Sequence, residues 1–189
     1  MIVCGVDEVG TGAVAGPIYI VAAAFDGGFP HSIDIRDSKK MTPAQRRRSF
    51  EAILEVSASV GLGMAWPDEI NQLGVRACWE RCVRRAVDML RVIPAQIVID
   101  GGVGVDDLAA ISEVLVVPHA DATHWQVSAA SILAKVMRDD MMEHLATEYP
   151  VYGWDSNKGY LSAAHTKGLK AYGPCVLHRM WKGVVEHVR

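Results

Sequence analysis

Short apolar runs punctuated by glycine open the chain. The first two, 2–6 (IVCGV) and 18–25 (IYIVAAAF), flank a glycine-rich connection and predict two neighbouring strands. In MTPAQRRRSFEAILEVS the spacing changes to helical. Thr42 is placed to cap this helix, Pro43 suits its first position, and Gln45, three residues on, completes a capping box. A third apolar run, VGLGMAW, leads to Pro67, and a helical pattern follows from about Gly74 to Arg91. Pro94 then precedes AQIVID, in which IVID predicts a buried strand. VLVVP is a further strand, and VSAASILAKVMRDDMMEHLATEY repeats its apolar positions at helical spacing as the longest helix. Beyond it lie the turn-forming YGWDSNKGY and two shorter helical stretches, AAHTKGLKAYG and LHRMWKGVVEHV. Early strands followed by helices, with two strands interposed, predict an α/β mixed sheet flanked by helices, with a small helical C-terminal part. With neither a repeat nor a linker, residues 1–189 are expected to form a single domain.

Composition narrows the setting more than the chemistry. A formal charge of −3 gives no global basic signature, so any nucleic-acid binding must come from local patches. Cys4, Cys78, Cys82 and Cys175 lack metal-ribbon or finger spacing and read as free thiols of a reducing compartment. An apolar run directly at the N-terminus, with no basic leader and no stretch of about 20 apolar residues, leads to the expectation of a cytoplasmic protein that does not span a membrane. A monomer without an obligate protein partner is the default expectation.

Four carboxylates stand where a sheet would present them together. Asp7 and Glu8 follow the first strand run, Asp100 ends IVID, and Asp121 comes just after VLVVP. Carboxylates that converge at strand ends repel one another unless a divalent cation compensates them, and hard oxygen donors suit Mg²⁺ or Mn²⁺. A single Asp at such a place is usually a helix or turn cap; four together point to a metal site.

The stretch GVDEVGTGAVAGP resembles the opening signature of the ribonuclease HII and HIII family, the type 2 ribonucleases H. Further matches follow in chain order: DSKKMT, VIDG, HAD followed by VSAASILAKVMRD, YPVYGWDSNKGYLSAAH and the closing HRMW. The resemblance implies a ribonuclease H-like fold and an acidic set that maps onto Asp7, Glu8, Asp100 and Asp121. It implies an endoribonuclease that cleaves the RNA strand of RNA/DNA hybrids, or of duplex DNA containing ribonucleotides, by two-metal hydrolysis to 5′-phosphate and 3′-hydroxyl ends. Removal of RNA primers or misincorporated ribonucleotides is the implied role. The alternative is a weak or silent module that only binds hybrids. Asp139, in MRDD, is either a fifth acidic neighbour or an ordinary helix-surface residue.

The same resemblance marks residues for substrate. Gly10, Thr11 and Gly12 let the backbone approach a sugar and offer N–H or C=O groups to a 2′-hydroxyl. Family HII members typically have GRG here; Thr11 gives GTG, which looks like ribonuclease HIII, although the length leaves no room for the additional N-terminal domain usual in HIII. Losing the guanidinium removes a potential phosphate clamp, which leaves open whether a single embedded ribonucleotide is incised efficiently in an enzyme of HII size. Tyr160 matches a tyrosine that stacks on a sugar beside the cleavage site. Ser38, Lys39 and Lys40 are candidates for backbone contacts, and His165, His178 and Arg179 fall near the implied phosphate path. Ser131 and Lys135 on the long helix are read as structural, and the Arg46, Arg47 and Arg48 triple as mainly a solubilising face.

Overall fold

The computed structural model describes residues 1–35, 38–101 and 106–181. Its chain divides into two compact units. The first comprises Met1–Val9, Tyr19–Met64 and Glu80–Val136; the second comprises Gly10–Ile18, Ala65–Trp79 and Met137–Arg189.

The first unit is organised by a five-stranded sheet of β1 (Ile2–Val9), β2 (Ile18–Asp26), β3 (Ser59–Ala65), β4 (Gln96–Asp100) and β5 (Glu113–Val117) in the order β3-β2-β1-β4-β5. β1 runs antiparallel to β2 and parallel to β4, and β4 runs parallel to β5, so the sheet is mixed as expected. β2 is buried over eight consecutive residues, which explains its unbroken apolar reading. β1 extends to Val9, further than its apolar run suggested, so Asp7 and Glu8 sit inside the strand, opposite Val21 and Ile20.

The helices α1 (Pro43–Val56), α2 (Pro67–Leu73), α3 (Val75–Asp88), α4 (Trp125–Glu148), α5 (Trp154–Asn157) and α6 (Ala163–Tyr172) complete the fold. α1 starts where the capping box placed it: the Gln45 N–H donates to Thr42 Oγ1 at 3.3 Å, and the Thr42 N–H donates to Gln45 Oε1 at 2.8 Å. Glycines set how closely helices approach the sheet. A Cβ on Gly5 would lie 2.2 Å from the Gln126 carbonyl carbon at the start of α4, and Cβ atoms on Gly61 and Gly63 would lie 1.9 and 1.8 Å from carbonyl oxygens of α3. The helical pattern expected from about Gly74 to Arg91 is α3, and a shorter helix that was not expected, α2, precedes it. Pro67 opens α2, Gly74 at φ 81° separates it from α3, and α3 ends at Asp88.

The second unit has its own core of Val14, Ala15, Met142, Leu145, Tyr152, Trp154 and Leu169. The helix expected over 177–188 is not formed at 177–181, where a turn at 176–177 leads into an isolated bridge at His178, and its remainder lies outside the described residues. His178 instead bridges to Ala15, and the Arg179 N–H donates to the Val14 carbonyl at 2.9 Å, so extended pairing replaces the helical ladder. Among the described residues no helix is long and apolar enough to cross a membrane.

Candidate active site

Asp7 lies near the end of β1, only 7% exposed. Burial first, and then the negative charges of Glu8 and Asp100, push its carboxyl up to about 7, while hydrogen bonds from the Ser131 hydroxyl and the Glu8 N–H, the latter 2.8 Å long, pull the other way. Asp100 ends β4, the parallel neighbour of β1, which carries it to the same end of the sheet. Its Oδ1 accepts the Ala120 N–H at 2.9 Å. That bond ties Asp100 to the 3-10 turn Ala120–Ala122, entered through His119 in the left-handed region at φ 58°. Asp121 sits in this turn, and its carbonyl accepts the Ser128 hydroxyl from the first turns of α4. Glu8 and Asp100 therefore both act on Asp7, and Asp121 is linked to Asp100 through the backbone beside it. Among the described residues no three His, Cys, Asp or Glu side chains stand in ready-made ligand geometry.

Two serines support this acidic group. Ser131, read from sequence as a packing residue, hydrogen-bonds Asp7, and its Oγ lies 3.0 Å from the Oγ of Ser38. Ser38 is 4% exposed, which sets it beside Ser131 on the inside of the unit. Arg46 donates to the carbonyls of Ser38 at 2.8 Å and Met41 at 2.6 Å, so one member of the arginine triple holds this turn. The Lys39 side chain lies outside the described residues.

In the second unit, Gly10 to Ala13 form a turn closed by the Ala13 N–H on the Gly10 carbonyl at 3.2 Å. Gly10 has φ 87°, and Gly12 is exposed, with nothing within 4 Å of a Cβ built there. The carbonyl of Gly159 accepts the N–H groups of Val14 and Ala15 at 2.9 and 3.1 Å, which fastens the turn bearing Tyr160 to the same segment. Tyr160 is 38% exposed, and its ring centroid lies 5.6 Å from the Arg138 guanidinium carbon. Sequence reading passed over Arg138, whose place between Met137 and the acidic pair Asp139 and Asp140 looks like that of an ordinary helix-surface residue.

His165, His178 and Arg179 are all buried, at 0, 1 and 0% exposure. Their bonds fix the tautomers. The Trp154 indole N–H donates to His165 Nε2 at 3.2 Å, so that nitrogen is an acceptor, and His165 Nδ1–H donates to the Tyr160 carbonyl at 2.9 Å. His178 Nδ1 accepts the Cys175 N–H at 3.0 Å, leaving its Nε2–H to donate to His165 Nε2 at 3.0 Å. Both rings are neutral in this arrangement. Burial lowers His165, and burial together with His165 lowers His178 to about 4.

Comparison with known proteins places this geometry in context. The family model described as Ribonuclease HII matches residues 4–183. The chain is 40% identical over 191 residues to a ribonuclease HII of Granulibacter bethesdensis, covering 99% of this chain and 86% of that protein. Its structure is similar to that of ribonuclease H2 from Pyrococcus horikoshii, with a TM-score of 0.82 and 30% identity over 100% of this chain and 97% of the other. It shares its fold with a Bst ribonuclease HIII in complex with Mn²⁺, at a TM-score of 0.73 and 23% identity over 100% of this chain and 69% of the other.

Proposed function

Because the chain belongs to the ribonuclease HII family and is an endoribonuclease acting on RNA/DNA hybrids, we propose that Asp7, Glu8, Asp100 and Asp121 form its active site and hold divalent cations, Mg²⁺ or Mn²⁺. The observation that carries this assignment is the buried Asp7 carboxyl, raised to about 7 beside two further carboxylates. A desolvated acidic group of this kind fits a divalent ion, which compensates its charge and accepts hard oxygen donors. When bound, the metal supplies a nucleophilic water and stabilises the departing 3′ oxygen. The chain's own part is positional. Ser131 and the Glu8 N–H orient the Asp7 carboxylate, and Ala120 orients that of Asp100.

In this reading Gly10, Thr11 and Gly12 approach the ribose, Tyr160 stacks on the following sugar, and Ser38 and Lys39 belong to the turn that borders the duplex. Residues 1–189 act as one catalytic domain. Ribonucleotide-containing duplex DNA is a second substrate, cleaved less efficiently than a continuous hybrid because Thr11 supplies no guanidinium. Four free thiols support a reducing, cytoplasmic setting, and a monomer without an obligate partner suffices for the chemistry.

The test is cleavage of two labelled duplexes, one a continuous RNA/DNA hybrid and one with a single embedded ribonucleotide, in Mg²⁺ and in Mn²⁺. Asp7→Asn serves as control. Faster cleavage of the hybrid, abolished in the control, is expected. Undiminished cleavage by Asp7→Asn would remove Asp7 from the site.

A further inference from the structure

The segment 10–17 is held by two arginines that are both 0% exposed. All three hydrogen bonds of the Arg179 guanidinium go to carbonyls of this segment: Nη1 to Thr11 at 3.0 Å, and Nε and Nη2 to Gly16 at 3.0 and 2.8 Å. Arg138 donates to Pro17 at 2.9 Å, Ala15 at 3.2 Å and Lys158 at 2.8 Å. Its Nε lies 2.1 Å from where a Cβ of Gly10 would stand, so it fills the side-chain space of that residue. Burying a cation is costly unless it is well satisfied, and an apolar side chain of similar size would fill the same volume. Two of them on one short segment call for a role in fixing its backbone.

The decisive peptide is Thr11–Gly12. A trans peptide carries its C=O and N–H on opposite sides. With the Thr11 carbonyl on Arg179, the Gly12 N–H points away from the buried guanidinium, at a residue that is exposed and open. Among the described residues neither Thr11 nor Gly12 donates its N–H to a partner. A carbonyl bound by a cation also polarises its peptide, which strengthens the N–H as a donor.

We infer that Arg179, seconded by Arg138, is a positioning residue for ribonucleotide recognition: it locks the Thr11–Gly12 peptide so that the Gly12 N–H is presented to the 2′-hydroxyl of the substrate. The inference rests on the reading that residues 10–12 meet the substrate. It names the donor within that turn and the distant residue that aims it.

The experiment measures KM and kcat on the hybrid, and Kd for an all-DNA duplex of the same sequence, in wild type, Arg179→Lys and Gly12→Ala, with thermal melts of each. Lysine keeps the charge and loses the fork that spans Thr11 and Gly16. Expected for Arg179→Lys is a KM raised about tenfold, the worth of one well-aimed hydrogen bond, with kcat within about twofold and Kd for DNA unchanged. Equal weakening on both duplexes, or a fall in kcat that tracks the melting temperature, would make Arg179 merely structural and overturn the inference. Gly12→Ala separates the two levels, because the fold has room for the methyl. If it raises KM while Arg179→Lys does not, the turn meets substrate but Arg179 does not aim it. If Gly12→Ala changes nothing, the turn does not meet the substrate and both readings fall. Should Arg179→Lys not fold, the Gly12 amide proton shift in the wild-type protein decides: a downfield move with hybrid and none with DNA supports the inference, and any other pattern overturns it.

Discussion

Replacing Asp7 by asparagine should stabilise the metal-free protein at neutral pH even as it abolishes activity. A carboxyl displaced from 3.8 to about 7 represents about 4 kcal/mol of disfavoured ionisation, and at 7% exposure solvent does little to reduce it. The sign follows from proton binding. Between pH 4 and 7 the folded state holds the Asp7 proton more tightly than the unfolded state does. Stability from this group is therefore intact below about pH 4, falls as pH rises to about 7, and stays low above it. Asparagine has nearly the same shape, can still accept from Ser131, and never ionises.

The assay is thermal melting of wild type and Asp7→Asn in chelator from pH 5 to 8, then again in Mg²⁺. The difference between the two proteins should grow with pH, reaching roughly 8–16 °C at pH 8 as an upper limit for a chain of this size. Taking a difference cancels the other titrating groups, His178 among them. Mg²⁺ should raise the wild-type melt by mass action and leave Asp7→Asn nearly unmoved. If the variant melts at or below wild type at pH 8 without metal, Asp7 is not electrostatically frustrated, and the case for a metal-compensated acidic group loses its carrying observation.

Other perturbations address the remaining parts. Thr11→Arg should raise incision at a single embedded ribonucleotide relative to the continuous hybrid, read as a ratio of kcat/KM values; an unchanged ratio would show that residue 11 does not set the preference. Tyr160→Ala should cost about 1–3 kcal/mol of substrate binding, the scale of aromatic stacking on a nucleotide, with no loss of melting temperature, because the ring is partly exposed. Gly5→Ala should destabilise the fold by roughly 3 kcal/mol or more in denaturant unfolding, since the new methyl would meet α4 backbone 2.2 Å away and neither chain can yield as a side chain would. For His178, lowered to about 4, the folded state favours the neutral ring, so its contribution is full above pH 6.5 and lost as pH falls towards 4; His178→Asn should flatten the acid limb of the stability curve.

Much of the fold was legible because it rests on local signals. The α1 start was written in Thr42, Pro43 and Gln45, whose mutual hydrogen bonds need no tertiary partner. β2 and β4 announced themselves as buried apolar runs. The misjudged elements are those decided by distant partners. Residues 177–181 have helical spacing but form no helix, because Val14 and Ala15 offer backbone pairing to His178 and Arg179. α2 was missed because seven residues are too short for periodicity to speak, whereas the start of α3 was found next to Gly74, which also caps α2. Among the candidate site residues, Asp7 and Asp100 could be found from their places at the ends of apolar strands. Ser131 could not, since a serine on a small-residue helix face looks the same whether it packs or bonds a carboxylate 124 positions earlier.

The arginines expose a limit of charge counting. A formal charge of −3 in a protein that handles a polyanion suggests weak attraction and directs attention to exposed lysines. Arg138 and Arg179 are invisible to that argument, since neither reaches solvent. Yet a surface lysine is screened within about 10 Å at ordinary salt, whereas a guanidinium in a dry interior acts through a lower effective dielectric. Burial and Arg138 pull Arg179 down to about 9, which still leaves it charged at neutral pH. Its bonds to Thr11 and Gly16 turn that charge into peptide orientation. The missing guanidinium at position 11 then has a different meaning. Under the proposed function the turn lacks an outward cation at position 11 to grip a phosphate, and it retains inward cations bound to its backbone carbonyls. On the proposed reading, sugar recognition and phosphate grip are separable functions of this turn, and the GTG sequence keeps the first while giving up much of the second.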